Sequence, residues 1–145
     1  GIGGIGMSAL ARYFSATAKK VAGYDKLPTN NTADLEKLGI EIHFNDSLES
    51  IPEIYKNKTT TLVVYTPAIP ANHLELNFFL NQNFQVMKRA EVLGMITKNT
   101  FCFAVAGTHG KTTTSSLIAH ILRYAKKNSM AFWVESHKII KLIYY

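Results

Sequence analysis

The chain has 145 residues, 47% of them hydrophobic and 18% charged, with a formal net charge of +6. That length holds one domain and little more, and the apolar content supports a real core. No apolar run approaches the ~20 residues of a membrane span, no secretory leader is visible, and Cys102 is the single cysteine, so a disulfide scaffold is excluded and a cytoplasmic protein is expected.

In chain order, Gly1, Gly3 and Gly6 satisfy a G-x-G-x-x-G pattern, and Met7, Leu10, Ala11 and Phe14 follow at helical spacing. Val21–Tyr24 reads as a strand ending at Asp25. A turn from Pro28 leads to a short helix that Thr32 is expected to cap, running through Leu38 to a stop at Gly39. Ile40–His43 alternates as a short strand, and Thr61–Tyr65 is a buried one followed by a Thr66–Pro70 loop. Leu74–Leu80 reads as a helix, Phe84–Met87 as a strand, Ala90–Ile96 as a helix and Phe101–Ala106 as a strand. Strands alternating with helices predict an α/β fold: a Rossmann-like parallel sheet with right-handed crossovers, then the start of a second, P-loop α/β domain. The boundary between the two is expected near residues 97–100, giving domains over 1–98 and 99–130 and an atypical tail over 131–145.

The basic residues are scattered, at Lys19-Lys20, Lys56, Lys58, Lys88-Arg89, Arg123 and Lys126-Lys127. No dense basic block with interleaved aromatics occurs, so neither nucleic acid nor a membrane is expected as a partner. Anionic phosphorylated ligands suit the same charge.

The stretch Gly107-Thr108-His109-Gly110-Lys111-Thr112-Thr113-Thr114 carries the most specific chemistry. An apolar strand enters a glycine turn, and a lysine and three threonines leave it into a helical pattern from Ser115 to Tyr124. Loop amides and the helix dipole suit phosphate oxygens. Lys111 is placed to reach terminal phosphates and Thr112 to hold Mg²⁺. Val105 stands where the first glycine of the longer P-loop pattern would be. The opening glycines are weaker evidence by themselves. Asp25 follows them at the distance where a dinucleotide site places its ribose-binding carboxylate. That leaves an NAD-dependent dehydrogenase-type domain and a non-catalytic sugar-nucleotide binding module open as alternatives. Two phosphate loops about a hundred residues apart disfavour a simple dehydrogenase and fit two phosphorylated substrates.

The segments Gly1–Ser8, Tyr65–Pro70, Lys88–Leu93 and Gly107–Thr114, in that order and spacing, resemble the Mur ligases of peptidoglycan synthesis. The resemblance runs from Gly1 to about Asn128. It implies an ATP-dependent, ADP-forming amide ligation, with Mg²⁺, of L-alanine to the lactyl carboxylate of UDP-N-acetylmuramate through an acyl phosphate. Carried over residue by residue, Gly107, Thr108, His109, Gly110, Lys111, Thr112, Thr113 and Thr114 would form the ATP loop. Lys111, Thr112 and His109 would be the catalytic candidates, with Thr112 on the metal side. Gly3, Gly4, Ile5 and Gly6 would hold the pyrophosphate. Asp25, Thr66, Ala68, Ile69 and His73 would lie near the uridine. Arg89 is assigned to a phosphate and Glu91 to stiffening the linker.

The family pattern stops after about Met130. Restoring one T in the codon of Phe132, with suitably chosen synonymous codons, yields a Gly-Gly turn and a family-like continuation, so a frameshift is one reading of the tail. A divergent amphipathic strand or helix is the other. The resemblance also implies a strand ahead of Gly1 and further domains beyond the tail. On that basis the polypeptide is expected to be a fragment that catalyses no ligation and is prone to aggregate.

Overall fold

The computed structural model describes residues 1–98, 100–127, 129–134 and 139–144, with side chains described as far as 127 and at 129. Asn99 of the expected boundary and residues 135–138 of the tail lie outside the described residues, as does the Trp133 side chain. The chain forms two compact units, residues 1–93 and 94–145, which divide inside a helix.

The first unit contains α1 (Ile5–Ala16), β1 (Ala22–Tyr24), α2 (Asn30–Glu36), β2 (Glu41–His43), β3 (Leu62–Tyr65), α3 (Leu74–Asn81), β4 (Gln85–Lys88) and the first half of α4 (Arg89–Thr97). Two 3₁₀ turns, Leu48–Ser50 and Glu53–Lys56, occupy a stretch with no predicted element. The strands form two parallel pairs. β1 lies on β2 with Gly23 opposite Ile42, and β3 lies on β4 with Val63 opposite Val86. Parallel neighbours need a crossover, and α2 and α3 supply one to each pair. The sequence expectation of a parallel sheet holds for this unit.

Its core is made where the helical and strand periods coincide. Ile2, Ala11, Leu35 and Ile40 form one buried cluster, with Val21 and Ile42 packed on it. Leu35 is fully buried because α2 presents that residue inward while Glu36 and Lys37 face solvent. The helix start departs from expectation: the cap is Thr29, not Thr32. Thr29 has extended backbone and its hydroxyl accepts from the Thr32 amide at 3.2 Å. The Thr32 hydroxyl sits 2.8 Å from the Thr29 amide, which donates to it. A threonine at the third helical position thus closes a reciprocal capping box, and it can be buried because both its hydrogen bonds are local. α2 ends at Glu36 rather than Leu38, and Gly39 takes the left-handed conformation (φ +79°) that turns the chain into β2.

The second unit contains the end of α4, β5 (Phe101–Ala106), α5 (Lys111–Tyr124), β6 (Ser129–Val134) and β7 (Ile139–Tyr144). This unit differs from the first in carrying an antiparallel strand, for which the sequence offered no expectation. The strand order is β5-β7-β6, with β7 antiparallel to both neighbours. The reason is connection length. Only four residues separate β6 from β7, which permits a hairpin but no crossover. β5 and β6 still run in the same direction through α5, and β7 lies between them. The described part of the tail backbone, 131–134 and 139–144, is therefore strand and not helix.

The capping box gives a first test. Thr29→Ala should lower the unfolding free energy by about 1 kcal/mol, measured by urea denaturation, with Thr29→Ser restoring most of it. An unchanged midpoint for Thr29→Ala would show that α2 does not depend on this cap.

Candidate functional site

In the first unit, the turn from Gly1 into α1 is tied to the end of β1. The Ile2 amide donates to Tyr24 O at 2.8 Å, which extends the pairing of β1 by one bond. The Gly3 amide then donates to Asp25 Oδ2 at 2.6 Å, and the Lys26 amide to Asp25 Oδ1 at 2.7 Å. Asn31 of α2 donates its side-chain amide to Gly3 O at 3.0 Å. A Cβ at Gly1 would lie 2.4 Å from the Asp25 carboxyl carbon, and one at Gly3 would lie 2.7 Å from Thr32 Cγ2. The loop therefore needs glycines because a carboxylate and a helix crowd it, not because of unusual φ. Gly4 caps α1 with no side-chain hydrogen bond, and the first amide to enter the helical ladder is that of Ser8, donating to Gly4 O. The preceding amides of Ile5, Gly6 and Met7 form a small anion-compatible end.

A cavity of about 590 Å³ opens beside this loop. Gly1, Ile2, Tyr24, Thr66, Ile69 and His73 all contribute to its wall. Of the residues assigned from the sequence, Thr66, Ile69 and His73 are thus gathered at one place. Gly3, Gly4, Ile5, Gly6, Asp25, Ala68 and Arg89 are outside that wall. Asp25 uses both carboxylate oxygens on the loop and its own turn. Glu91 accepts from the Lys88 amide at 2.7 Å, so it stiffens the β4–α4 junction.

A polar cluster at the cavity was not legible in the sequence. Asp46 accepts from the amides of Leu74 and Glu75 at 3.0 and 3.2 Å, which anchors the start of α3. His73 Nδ1 lies 3.1 Å from Asp46 Oδ1, and the Tyr24 ring meets the His73 ring edge-on with centroids 4.6 Å apart. His73 is 5% exposed and its Nε2 has no hydrogen-bond partner among the described residues. Glu75 Oε1 lacks a hydrogen bond as well and lies 3.4 Å from His43 Nδ1, whose N–H is directed at Asn45 O at 3.0 Å. Burial pushes the Glu75 carboxyl up to about 7, with the Asp46 charge adding to the rise. Burial also holds His73 below the ordinary histidine value, against the pull of Asp46. Burial and the nearby carboxylates raise the Tyr24 phenol. The five residues come from three distant segments, around 24, 43–46 and 73–75, and only His73 among them was flagged by the sequence.

In the second unit, β5 delivers the chain to Gly107 (φ +156°) and Gly110 (φ +75°), and α5 begins at Lys111. Gly110 caps the helix without a side chain, and Thr114 is the first to enter the ladder, donating to Gly110 O at 2.9 Å. The amides of Lys111, Thr112 and Thr113 precede it at the positive end of a 14-residue helix. Lys111 folds back over the loop, its Nζ donating to Gly107 O at 2.7 Å and Thr108 O at 3.1 Å. Thr108, His109, Thr112, Thr113 and Thr114 are exposed on this turn. The residues fit a phosphate group: a left-handed glycine, uncapped amides and an ammonium whose present acceptors are its own loop carbonyls.

A parallel α/β unit with a glycine turn beside the end of β1, followed by a strand–glycine turn–Lys-Thr helix start, places the chain in the class of α/β proteins with phosphate-shaped turns at strand ends. The family model described as the Mur ligase family, catalytic domain, matches residues 1–100, and the chain belongs to that family. Among curated relatives it is 58% identical to the UDP-N-acetylmuramate–L-alanine ligase of Flavobacterium johnsoniae over 132 residues, 91% of this chain and 29% of that protein. It is 54% identical to the ligase of the same name from Parabacteroides distasonis, again over 91% of this chain and 29% of the relative. Among solved structures it is similar to the UDP-N-acetylmuramate-alanine ligase of Thermotoga maritima, with a TM-score of 0.76 and 33% identity over 88% of this chain and 29% of that one. It is also similar to the UDP-N-acetylmuramate:L-alanyl-gamma-D-glutamyl-meso-diaminopimelate ligase of Neisseria meningitides, with a TM-score of 0.71 and 28% identity over 86% of this chain and 38% of that one. The chain spans 29% of the length of these curated relatives. Among the described residues, no helix is long and apolar enough to cross a membrane.

Two outcomes test the first-unit site. In the folded chain burial raises the Glu75 carboxyl to about 7, whereas an unfolded glutamate releases its proton near 4.5. The folded state thus binds the extra proton in that window, and its contribution to stability falls as pH rises through it. Glu75→Gln removes this dependence. Its melting temperature relative to the parent should rise steadily between pH 4.5 and about 7 and level off above; a constant difference would show that Glu75 is not desolvated. His73 slopes the opposite way, losing stability as pH falls below the ordinary histidine value, and cancels in that comparison. The second outcome concerns the glycine turn. Gly3→Val should detach the loop from Asp25 and speed amide exchange at residues 2–4, read by hydrogen–deuterium exchange.

Proposed function

We propose that the chain supplies the sugar-nucleotide-binding unit and the ATP-binding loop of an ADP-forming ligase that joins L-alanine to UDP-N-acetylmuramate. The observation that carries this reading is the Gly107–Lys111 turn, a phosphate-shaped loop on a chain whose relatives bear that ligase name. ATP would lie along Gly107, Thr108, His109, Gly110, Lys111, Thr112, Thr113 and Thr114. Lys111 would exchange its loop carbonyls for phosphate oxygens, and its charge would offset that developing on the transferred phosphoryl group. Thr112 would offer its hydroxyl to Mg²⁺. When bound, that ion would polarise the phosphate oxygens and orient them for transfer. His109, exposed on the same turn, would contact the substrate or the metal's surroundings.

The UDP moiety would sit at the first unit, with the pyrophosphate against Gly3, Gly4, Ile5 and Gly6 at the start of α1. The uridine would enter toward Thr66, Ala68, Ile69 and His73. Asp25 would act by holding the glycine turn, since its oxygens are already engaged there, and Arg89 would meet a phosphate from the end of β4. His73 Nε2, without a hydrogen-bond partner among the described residues, and the Glu75 carboxyl, its proton affinity raised by burial, would supply hydrogen-bonding positions for a polar ring beside the cavity. The 145 residues alone would bind and not turn over, since they span 29% of the length of the relatives that bear the ligase name.

Calorimetric titration tests the division of labour. Lys111→Ala should weaken MgATP binding by about tenfold or more, the size expected for a lost charge-assisted contact, while UDP-N-acetylmuramate binding stays within twofold of the parent. Loss of both, or binding of NAD in place of UDP-N-acetylmuramate, would overturn the assignment.

A further inference from the structure

The helices α1, α3 and α5 each begin after a loop, and they begin differently. α1 and α5 leave their first amides uncapped, whereas α3 closes all of its own. The His73 amide donates to Pro70 O at 3.2 Å. The Leu74 and Glu75 amides donate to the two carboxylate oxygens of Asp46 at 3.0 and 3.2 Å, and the Leu76 amide donates to His73 Nδ1 at 3.4 Å. The Asn77 amide then starts the ladder, donating to His73 O at 3.1 Å. Every donor that a helix start leaves over is taken. The start of α3 is therefore no anion site, and its closure fixes the residue at the cap, His73.

Asp46 reaches this helix start from 28 residues away, out of the turn that follows β2. The turn has its own support: Asn45 O accepts from the Ser47 amide at 3.1 Å and lies 3.0 Å from His43 Nδ1. Asp46 Oδ1 also lies 3.1 Å from His73 Nδ1, and the Tyr24 ring meets the imidazole edge-on. The ring is thus gripped at Nδ1, and Nε2 is the nitrogen left without a partner among the described residues. Burial lowers the His73 pKa and the Asp46 charge opposes that fall, so the two groups are linked electrostatically as well as by contact.

We propose that Asp46 is a positioning residue of the sugar-nucleotide site and acts through His73, holding the helix cap and the imidazole so that Nε2 is presented to the uridine, without touching the ligand itself. The inference rests on the reading of the first unit as the UDP site. A carboxylate suits this task because it accepts from two amides at once, one on each oxygen. A carboxamide has a single acceptor oxygen and turns its NH₂ group toward the second amide. The negative charge also lies at the positive end of α3, where it is favoured.

The test uses the full 145-residue chain and UDP-N-acetylmuramate. By calorimetry, Asp46→Asn should weaken UDP-N-acetylmuramate binding by about tenfold, the size expected for a disturbed charge-assisted contact, and leave MgATP binding within about twofold of the parent. By NMR, the His73 ring of this variant should titrate at lower pH than in the parent, a shift that loss of a helix cap alone does not produce. In a His73→Gln background the same Asp46→Asn change should cost less than about twofold, because the two residues act as one unit. In the unsubstituted chain, UDP-N-acetylmuramate should move the His73 Nε2 resonance and leave Nδ1 in place, which reads the grip even where Asp46→Asn fails to fold. Equal binding by the parent and Asp46→Asn would overturn the inference, as would an undiminished loss in the His73→Gln background or movement of Nδ1 with Nε2 unchanged. A parent chain that binds no UDP-N-acetylmuramate would instead overturn the reading of the site, and this inference with it.

Discussion

The Asp25 carboxylate at the end of β1 holds the Gly3 amide at 2.6 Å, and the geometry of the first unit follows from that contact. It stops the chain from continuing along β1 and turns it into α1. It requires residues without Cβ at Gly1 and Gly3, where any side chain would strike the carboxylate or Thr32. Asn31 then ties the carbonyl of Gly3 to α2. The glycine turn is thereby fixed by a strand and a helix, and the uncapped start of α1 is held beside it. Preorganised amides of this kind need no rearrangement to meet an anion, which is what gives the turn its value as a binding element.

The two glycine turns of the chain achieve the same end by different means. At Gly1–Gly4 the backbone is ordinary and the constraint is crowding. At Gly107 and Gly110 the constraint is conformational, since both have positive φ. The second turn also carries its own cation: Lys111 is held over the loop by two backbone carbonyls. A phosphate would compete with those carbonyls as a charged acceptor, and charge-assisted hydrogen bonds are the stronger kind. The first turn has no lysine of its own, and its neighbours toward the cavity are a buried histidine and a carboxyl whose proton affinity is raised by burial. The chemistry of the two sites differs accordingly. One offers a cation and free loop amides to a charged group, and the other offers fixed donors and acceptors beside an apolar cavity.

Much of this was readable from local pattern. The β3 and β5 apolar runs, the crossover helices and both glycine turns follow from periodicity and turn chemistry, and the strand bounds moved by only a residue or so. The cap of α2 was misplaced because Thr29 and Thr32 are chemically equivalent and only backbone geometry says which is the cap. The antiparallel place of β7 was missed for a different reason. Pairing partners are chosen by chain reversal at the β6–β7 connection, and no single strand records its neighbours.

The sequence by itself determined which segments are helix and strand and which turns lack side chains, because those properties reside in a few adjacent residues. Family membership was legible for the same reason, since its motifs are contiguous. Only the tertiary structure decided that Asp25 serves the glycine turn. It also assembled Tyr24, His43, Asp46, His73 and Glu75 beside one cavity. Desolvation, and with it the raised Glu75 proton affinity, depends on what surrounds a group from distant parts of the chain. No window of neighbouring residues contains that information.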